Sequence, residues 1–91
     1  MLKGRVVASV WATRRLPEIP HGAFLEVETE DGSRLVALDT LGSGIGECVL
    51  VVTGSIAAIQ FQPATPPIDA LIIGSVDEVP GGGAEPKRRE E

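Results

Sequence analysis

The strongest constraint on the fold is a run of alternating glycines that leads directly into an apolar segment. Gly42, Gly44 and Gly46 occupy every second position, and Glu47 separates them from the aliphatic stretch at residues 48–52. Glycine is required where the backbone adopts a positive φ or where another backbone approaches closely. A glycine-rich bend that enters a buried strand therefore predicts a tight approach, either to a ligand or to another subunit.

The size and side-chain composition of the chain favour another subunit. A chain of 91 residues forms one domain, and a domain of this size buries only about two thirds of its unfolded surface. Yet 43% of the residues are hydrophobic, and the aromatic ones are limited to Trp11, Phe24 and Phe61. The excess of aliphatic side chains over what a small core holds predicts an oligomer, with a tightly packed monomer as the alternative.

The charge of the chain disfavours nucleic acid as a partner. The sequence has 8 lysines and arginines against 13 aspartates and glutamates, a net charge of −5, and an acidic domain repels phosphate backbones. The single cysteine, Cys48, opens the aliphatic stretch and is expected to be a buried small hydrophobe. The chain has no signal-peptide pattern and no run of 18 apolar residues, so we expect a cytosolic protein without a membrane span.

Apolar periodicity and turn signals predict five strands and one short helix. Asp31-Gly32 is a two-residue hairpin signal, and Leu25 and Val27 alternate with glutamates on the strand before it. Ser55 is expected to be the N-cap of a helix through residues 56–59. The pattern predicts an all-β fold, a small five-stranded OB-like β-barrel with one short helix, whose strands span residues 2–13, 23–30, 33–39, 47–53 and 68–79.

Three or more of these strands are expected to be buried on both faces. Residues 33–39 and the run at 70–73 carry apolar side chains on both sides. A closed barrel covers only one side of each strand. We therefore expect a neighbouring subunit to cover the other side.

The sequence contains no strong signal for phosphate or nucleic-acid binding. The glycine run is followed by no Gly-Lys-Ser/Thr, and its spacing differs from that of the dinucleotide fingerprint. A barrel that binds single strands needs aromatic platforms and a basic groove. The corresponding strands here offer Phe24 beside Glu26, Glu28 and Glu30, so this surface is expected to repel nucleic acid.

Metal binding and nucleophilic catalysis are also unsupported by the residue pattern. His21 is the single histidine and is expected in a solvated loop, while Asp39, Asp69 and Asp77 lack the spacing of metal ligands. Ser55, His21 and Asp69 do not form a credible triad because Ser55 has no nucleophile-elbow context. Asp69 and Asp77 are instead expected to cap turns, to pair with Arg5 or Arg34 of the same chain, or to pair with a basic residue across a subunit interface.

Five segments of the chain follow one another in a distinctive order. They are MLKGRVV at residues 1–7, DTLGSGIGECVL at 39–50, GSIA at 54–57, PIDA at 67–70 and GSVD at 74–77. In this order, residues 1–79 resemble the EutN/CcmL family of bacterial microcompartment vertex proteins. The chain departs from the family pattern at Ala58, where arginine is common, and at Ser43, where alanine is commoner.

The resemblance implies a cyclic pentamer that caps the five-fold vertices of a polyhedral protein shell in the cytoplasm. It implies hexameric and trimeric shell proteins as partners, no enzymatic activity, and no catalytic residues, cofactor or metal. The alternative is a monomeric OB-type module that binds a ligand or nucleic acid. In a ring, the subunit interface and axial pore are expected at Gly42, Ser43, Gly44, Ile45, Gly46, Glu47 and Ser55.

The last residues of the chain lie outside the resemblance. Residues 80–91 are rich in glycine and charged side chains, a composition typical of linkers. We expect a barrel domain at residues 1–79 and a tail at 80–91 that lies on a shell face and is dispensable for the ring.

Overall fold

The computed structural model describes residues 1–77, which form five strands and one short helix. The helix lies between the fourth and fifth strands and, with five residues, makes little more than one turn. Among the described residues, no helix is long and apolar enough to cross a membrane. The elements are β1 Leu2–Val10, β2 Ala23–Thr29, β3 Arg34–Asp39, β4 Cys48–Thr53, α1 Ser55–Ile59 and β5 Ala70–Val76.

The five strands form a closed barrel in the order β1-β2-β3-β5-β4. The long first strand pairs with β2 on one side and with β4 on the other, antiparallel in both cases. The barrel closes between β3 and β5, which run parallel and pair at Leu38 with Leu71 and at Asp39 with Ile72. The predicted five-stranded OB-like barrel with one short helix is confirmed.

Two clusters of aliphatic side chains hold the barrel together. The main one fills the interior with one or two residues from every strand, and each is at most 6% exposed. The smaller one, formed by Leu38, Ala57 and Leu71, lies beneath α1 and attaches the helix to the barrel. The interior residues are Val6, Leu25, Val27, Ala37, Val49, Val51, Ala70 and Ile72.

The first strand is shorter than its apolar pattern predicts. It ends at Val10 rather than at residue 13, and Trp11 is 89% exposed. The register with β2 shifts between Val6 and Ala8, and such a bulge changes which side chains face inward. Alternation beyond the bulge therefore no longer indicates the buried face.

Within one chain, two of the strands expected to be covered on both faces are covered only in part. At one end of these strands Ala37 and Ile72 lie inside the barrel, while Leu38 and Leu71 on the outer face are buried beneath α1. Further along the same outer face, Val36 is 48% exposed and Ile73 is 40% exposed, because the short helix does not reach them. The hairpin between β2 and β3 is as predicted, with Leu25 and Val27 inside.

The ends of β2, β3, β4 and α1 differ from the prediction by one residue at most. β5 is shorter than the predicted 68–79, since it begins at Ala70 and ends at Val76. The carbonyl of Asp69, just before it, accepts a hydrogen bond from the Gly54 N–H. The predicted boundary between residues 79 and 80, and the tail at 80–91, lie outside the described residues.

Candidate subunit interface

The glycine-rich bend connects β3 to β4 and adopts a conformation that requires two of its glycines. Gly42 has a φ of 86° and Gly46 a φ of 92°, in the left-handed region that side chains disfavour. Gly44 has no such φ, and a Cβ added there would lie 3.9 Å from the nearest atom, Glu47 Oε2. Nothing among residues 1–77 therefore requires glycine at position 44.

A single buried carboxylate holds the first half of the bend. Asp39, the last residue of β3, is 3% exposed. Its Oδ2 accepts hydrogen bonds from the backbone N–H groups of Gly42 at 2.9 Å and Ser43 at 2.8 Å, and its Oδ1 accepts one from Ser43 Oγ at 2.9 Å. The Leu41 N–H lies 3.4 Å from Oδ1. The carboxylate of Asp39 thus contacts polar groups of three successive residues, Leu41, Gly42 and Ser43.

Sequence reasoning missed this role of Asp39, which it weighed only as a metal ligand. The available signal is the position of Asp39 at the end of a strand, directly before a turn-forming Thr-Leu-Gly-Ser. Aspartate in that position hydrogen-bonds to backbone groups two to four residues ahead of it. Among residues 1–77, no group of three His, Cys, Asp or Glu side chains is placed to hold a metal ion.

The second half of the bend is held by β1. Arg5 Nη1 donates to the carbonyl of Gly46 at 2.6 Å, and the Gly46 N–H donates to Val6 O at 2.8 Å. The Val6 N–H in turn donates to Glu47 O at 2.9 Å. The bend is therefore tied at both ends, to β3 by Asp39 and to β1 by Arg5 and Val6.

The tied bend presents apolar side chains to solvent. Leu41 is 57% exposed and Ile45 is 68% exposed, although the backbone beneath them is hydrogen-bonded. Two isoleucines of α1, Ile56 and Ile59, are exposed as well. Exposed apolar groups on ordered backbone are typical of a surface that contacts another protein.

Ser55 begins the helix but does not cap it. The N-cap is Gly54, with a φ of 79° and no side-chain hydrogen bond, so the prediction that Ser55 is the N-cap is wrong. The glycine makes the turn out of β4 and donates its N–H to Asp69 O at 2.8 Å. Ser55 therefore takes the first helical position and leaves its side chain exposed.

Glu47 and Ser55, two of the predicted interface residues, flank opposite ends of β4. No hydrogen bond among the described residues connects the bend to Ser55. The structure thus brings Gly42 to Glu47 together in one bend and places Ser55 apart from them. In a ring, a head-to-tail contact joins two different surface patches of identical subunits. The bend and Ser55, which lie apart on one chain, could therefore meet across such a contact.

The remaining candidate residues do not converge on a site. His21, Asp69 and Asp77 are exposed. Arg34, one of the expected partners of the two aspartates, instead lies 3.8 Å from a carboxylate oxygen of Glu26 and 4.0 Å from one of Glu28.

Phe24, the one aromatic residue on the surface considered for nucleic acid, is not free to stack on a base. The guanidinium of Arg15 lies 4.5 Å from the centre of its ring, and the side chain packs against the cluster beneath α1. The glutamates Glu26 and Glu28 flank it on the same strand. This face therefore lacks the aromatic platform that single-strand binding requires.

Comparison with known proteins identifies relatives along nearly the whole described chain. The family described as ethanolamine utilisation protein EutN/carboxysome matches residues 1–77. The bacterial microcompartment shell vertex protein EutN of Escherichia coli strain K12 is 39% identical over 84 residues, which cover 86% of this chain and 88% of that protein.

Solved structures give the same result. The structure of a pentameric shell protein from the RMM microcompartment is 58% identical, has a TM-score of 0.80, and matches 84% of this chain and 100% of that one. A structure of the ethanolamine utilization protein EutN is 38% identical with a TM-score of 0.80, over 91% of this chain and 93% of that one. The matched residues include the five strands, the helix and the bend, so the chain belongs to the EutN/CcmL family.

Proposed function

We propose that five copies of this chain form a ring that closes a five-fold vertex of a bacterial microcompartment shell. The observation that carries the proposal is the 58% identity to a pentameric shell protein along the full length of that protein. A relative named as a shell vertex protein supports the position in the shell. The exposed apolar surface of the single barrel supports the existence of a neighbouring subunit.

The bend is proposed to make the contact between neighbouring subunits of the ring. Its backbone is held at both ends by hydrogen bonds, and it offers Leu41 and Ile45 to a partner. Gly44 has open space around it in the single chain, which a neighbour would fill. In this arrangement Ser55 lies on the facing subunit, at the far end of β4.

The ring is proposed to act as a structural component rather than as an enzyme. Hexameric and trimeric shell proteins are its proposed partners in the shell, which lies in the cytoplasm. Nucleic acid is not a proposed partner, because the net charge is −5 and the outer face of β2 carries glutamates.

Native mass spectrometry of the purified chain tests the ring directly. We expect a dominant species of five times 9.5 kDa, or 47.5 kDa, that persists on dilution. A dominant 9.5 kDa species at every concentration would contradict the ring and favour the monomeric binding module.

A methyl group at position 44 tests whether the bend is the contact. In Gly44→Ala we expect a folded monomer, because the added Cβ meets no atom of its own chain closer than 3.9 Å but enters the space assigned to the neighbour. The readout is the ratio of pentamer to monomer by native mass spectrometry, with far-UV circular dichroism to confirm the barrel.

The matched control adds the same methyl group elsewhere. Gly74→Ala on β5 meets Leu50 Cδ1 at 3.8 Å, an ordinary contact, and has no positive φ to strain. We expect this variant to remain pentameric. A pentamer as stable in Gly44→Ala as in Gly74→Ala would show that the bend does not form the contact.

A further inference from the structure

We propose that Asp39 is a positioning residue for assembly, which fixes the bend in the shape that meets the neighbouring subunit. The inference rests on the proposed ring and identifies what controls its contact surface. Among the described residues, Asp39 is the only charged or polar one that is buried. It lies beneath an exposed loop rather than beside another charge.

The polar groups that contact the Asp39 side chain are all positioned as donors to it. The nearby groups are hydrogen-bond donors, namely the N–H groups of Gly42 and Ser43 and the hydroxyl of Ser43. A carboxylate accepts from several donors at once, and bonds to its charge are stronger than neutral ones. An asparagine has the same size but no charge, and an amino group at the Oδ1 position would oppose the Leu41 N–H, so the hydrogen bonds to the bend are weakened.

The hydrogen bonds of Asp39 order the bend without contributing to the core. Leu41, Gly42 and Ser43 are absent from both apolar clusters. The other end of the bend, at Gly46 and Glu47, is held separately by β1. Loss of the Asp39 bonds therefore releases only the first half of the bend and leaves the barrel closed.

Release of the bend weakens assembly because a loop that is ordered in advance loses less entropy when it binds. A released bend must be ordered again at each of the contacts in the ring. We expect the subunit concentration at which half of the ring dissociates to rise about tenfold or more, the effect of losing a charge-assisted hydrogen bond at a contact.

Asp31 provides a matched control within the same chain. Its Oδ1 accepts hydrogen bonds from Thr29 Oγ1 at 2.5 Å and from the Ser33 N–H at 3.0 Å. It thus organises the β2–β3 turn as Asp39 organises the bend, but it lies at an exposed hairpin tip. Asp31→Asn makes the same chemical change outside the proposed contact.

The experiment compares wild type, Asp39→Asn and Asp31→Asn by native mass spectrometry and sedimentation over a dilution series. We expect Asp39→Asn to dissociate at a higher concentration than wild type, and Asp31→Asn to match wild type.

Amide hydrogen exchange is then measured with Gly44→Ala as the monomeric background, with and without Asp39→Asn. Exchange should rise at Gly42 and Ser43 and stay unchanged at Gly46.

Two results would overturn the proposal. One is an Asp39→Asn ring that dissociates at the wild-type concentration, and the other is unchanged exchange at Gly42 and Ser43. If Asp39→Asn raises amide exchange throughout the barrel, the variant has disturbed the core and Ser43→Ala replaces it as the test. Ser43→Ala removes the hydroxyl that donates to Asp39 Oδ1 and leaves the buried carboxylate in place. In Ser43→Ala the amide exchange at Gly42 must then rise, and unchanged exchange there would refute the proposal.

The same experiment separates this inference from the proposed function. A wild-type chain that is monomeric contradicts the ring, whatever the variants do. The exchange comparison at Gly42 and Ser43 is made in a monomer, so it reports the ordering of the bend by Asp39 independently of assembly.

Discussion

Two aspartates of this chain perform the same local chemistry in different surroundings. Asp31 and Asp39 each follow or end a strand and accept hydrogen bonds from the turn beside them. Asp31 is exposed, so water competes for its hydrogen bonds, whereas Asp39 is 3% exposed. A buried carboxylate cannot exchange its partners for water, so the bend depends on Asp39 more strongly than the hairpin depends on Asp31.

The pKa of Asp31 provides a test at the scale of a single residue. The hydrogen bond from the Thr29 hydroxyl, followed by that from the Ser33 backbone, lowers the pKa of this carboxyl below its ordinary value of 3.8. Thr29→Ala removes the larger cause, so we expect the pKa to rise towards 3.8. An NMR titration of the Asp31 carboxyl measures it, and an unchanged pKa would contradict the assignment.

The sign of the stability effect follows from the direction of this shift. Because the folded pKa is lower than the unfolded one, the hydrogen bonds of Asp31 stabilise the fold above the unfolded pKa. That contribution is lost as the pH falls through the folded pKa. In Thr29→Ala this loss should be smaller and should be complete at a higher pH than in wild type.

Gly4 shows where the barrel itself requires a glycine. A Cβ there would lie 2.5 Å from Val27 Cγ1 and 2.7 Å from the carbonyl oxygen of Glu28. The two strands β1 and β2 approach too closely at this point for a side chain. A Cβ at Gly22 would lie equally close to backbone, against the carbonyl oxygen of Asp39, whereas Gly42 and Gly46 in the bend have no such neighbour.

At the scale of elements, the loop between β1 and β2 is ordered by one arginine. Arg15 donates to the carbonyls of Gly22 and Pro20, each at 2.7 Å, and its guanidinium stacks on the ring of Phe24. The prolines of this loop cannot donate hydrogen bonds, so a side chain supplies the donors. The planar guanidinium suits this combination of two acceptors and a ring.

Replacing this arginine tests the order of the loop. In Arg15→Lys we expect the free energy of unfolding to fall by about 1 kcal/mol, because an ammonium neither bridges both carbonyls nor stacks in the same way. Urea unfolding at a fixed protein concentration measures the change. Arg14→Lys is the control, since Arg14 is exposed and makes no hydrogen bond or ion pair with residues 1–77; equal effects would contradict the role of Arg15.

At the scale of the whole molecule, a small barrel leaves much of its apolar surface uncovered. Val36, Ile45 and Ile73 are exposed on three separate segments. Among residues 1–77, one short helix covers the outside of the strands, and it buries only part of that face. A ring of subunits provides the missing cover, so stability and assembly should be coupled.

This coupling predicts a melting temperature that depends on protein concentration. Because assembly stabilises the folded chain by mass action, the Tm of the wild type should rise by about 5 °C for each tenfold increase in concentration. Differential scanning calorimetry over two decades of concentration measures it. The Tm of Gly44→Ala should be lower and independent of concentration; a constant Tm in the wild type would contradict the coupling.

Much of the fold follows from local patterns in the sequence. Strand alternation and the Asp31-Gly32 turn predict the β2–β3 hairpin, and the aliphatic stretch after Glu47 predicts β4. The order of motifs led to the family that the comparisons confirm. These features depend on neighbours in the chain, so they can be recognised without the structure.

Other features depend on residues that are distant in sequence, and only the tertiary structure decided them. The bulge near Ala8 ends the alternation of β1, and the glycine at position 54 displaces Ser55 from the N-cap. The hydrogen bond from Arg5 to the carbonyl of Gly46 joins residues that are 41 positions apart in the sequence.

The sequence alone thus determined the class of fold and the family. The tertiary structure decided that Asp39 organises the glycine-rich bend, because only the closed barrel buries Asp39 and excludes water from its carboxylate. It also decided that Gly44 has space around it within the chain. Burial and close approach are set by the packing of strands against one another, which no local pattern contains.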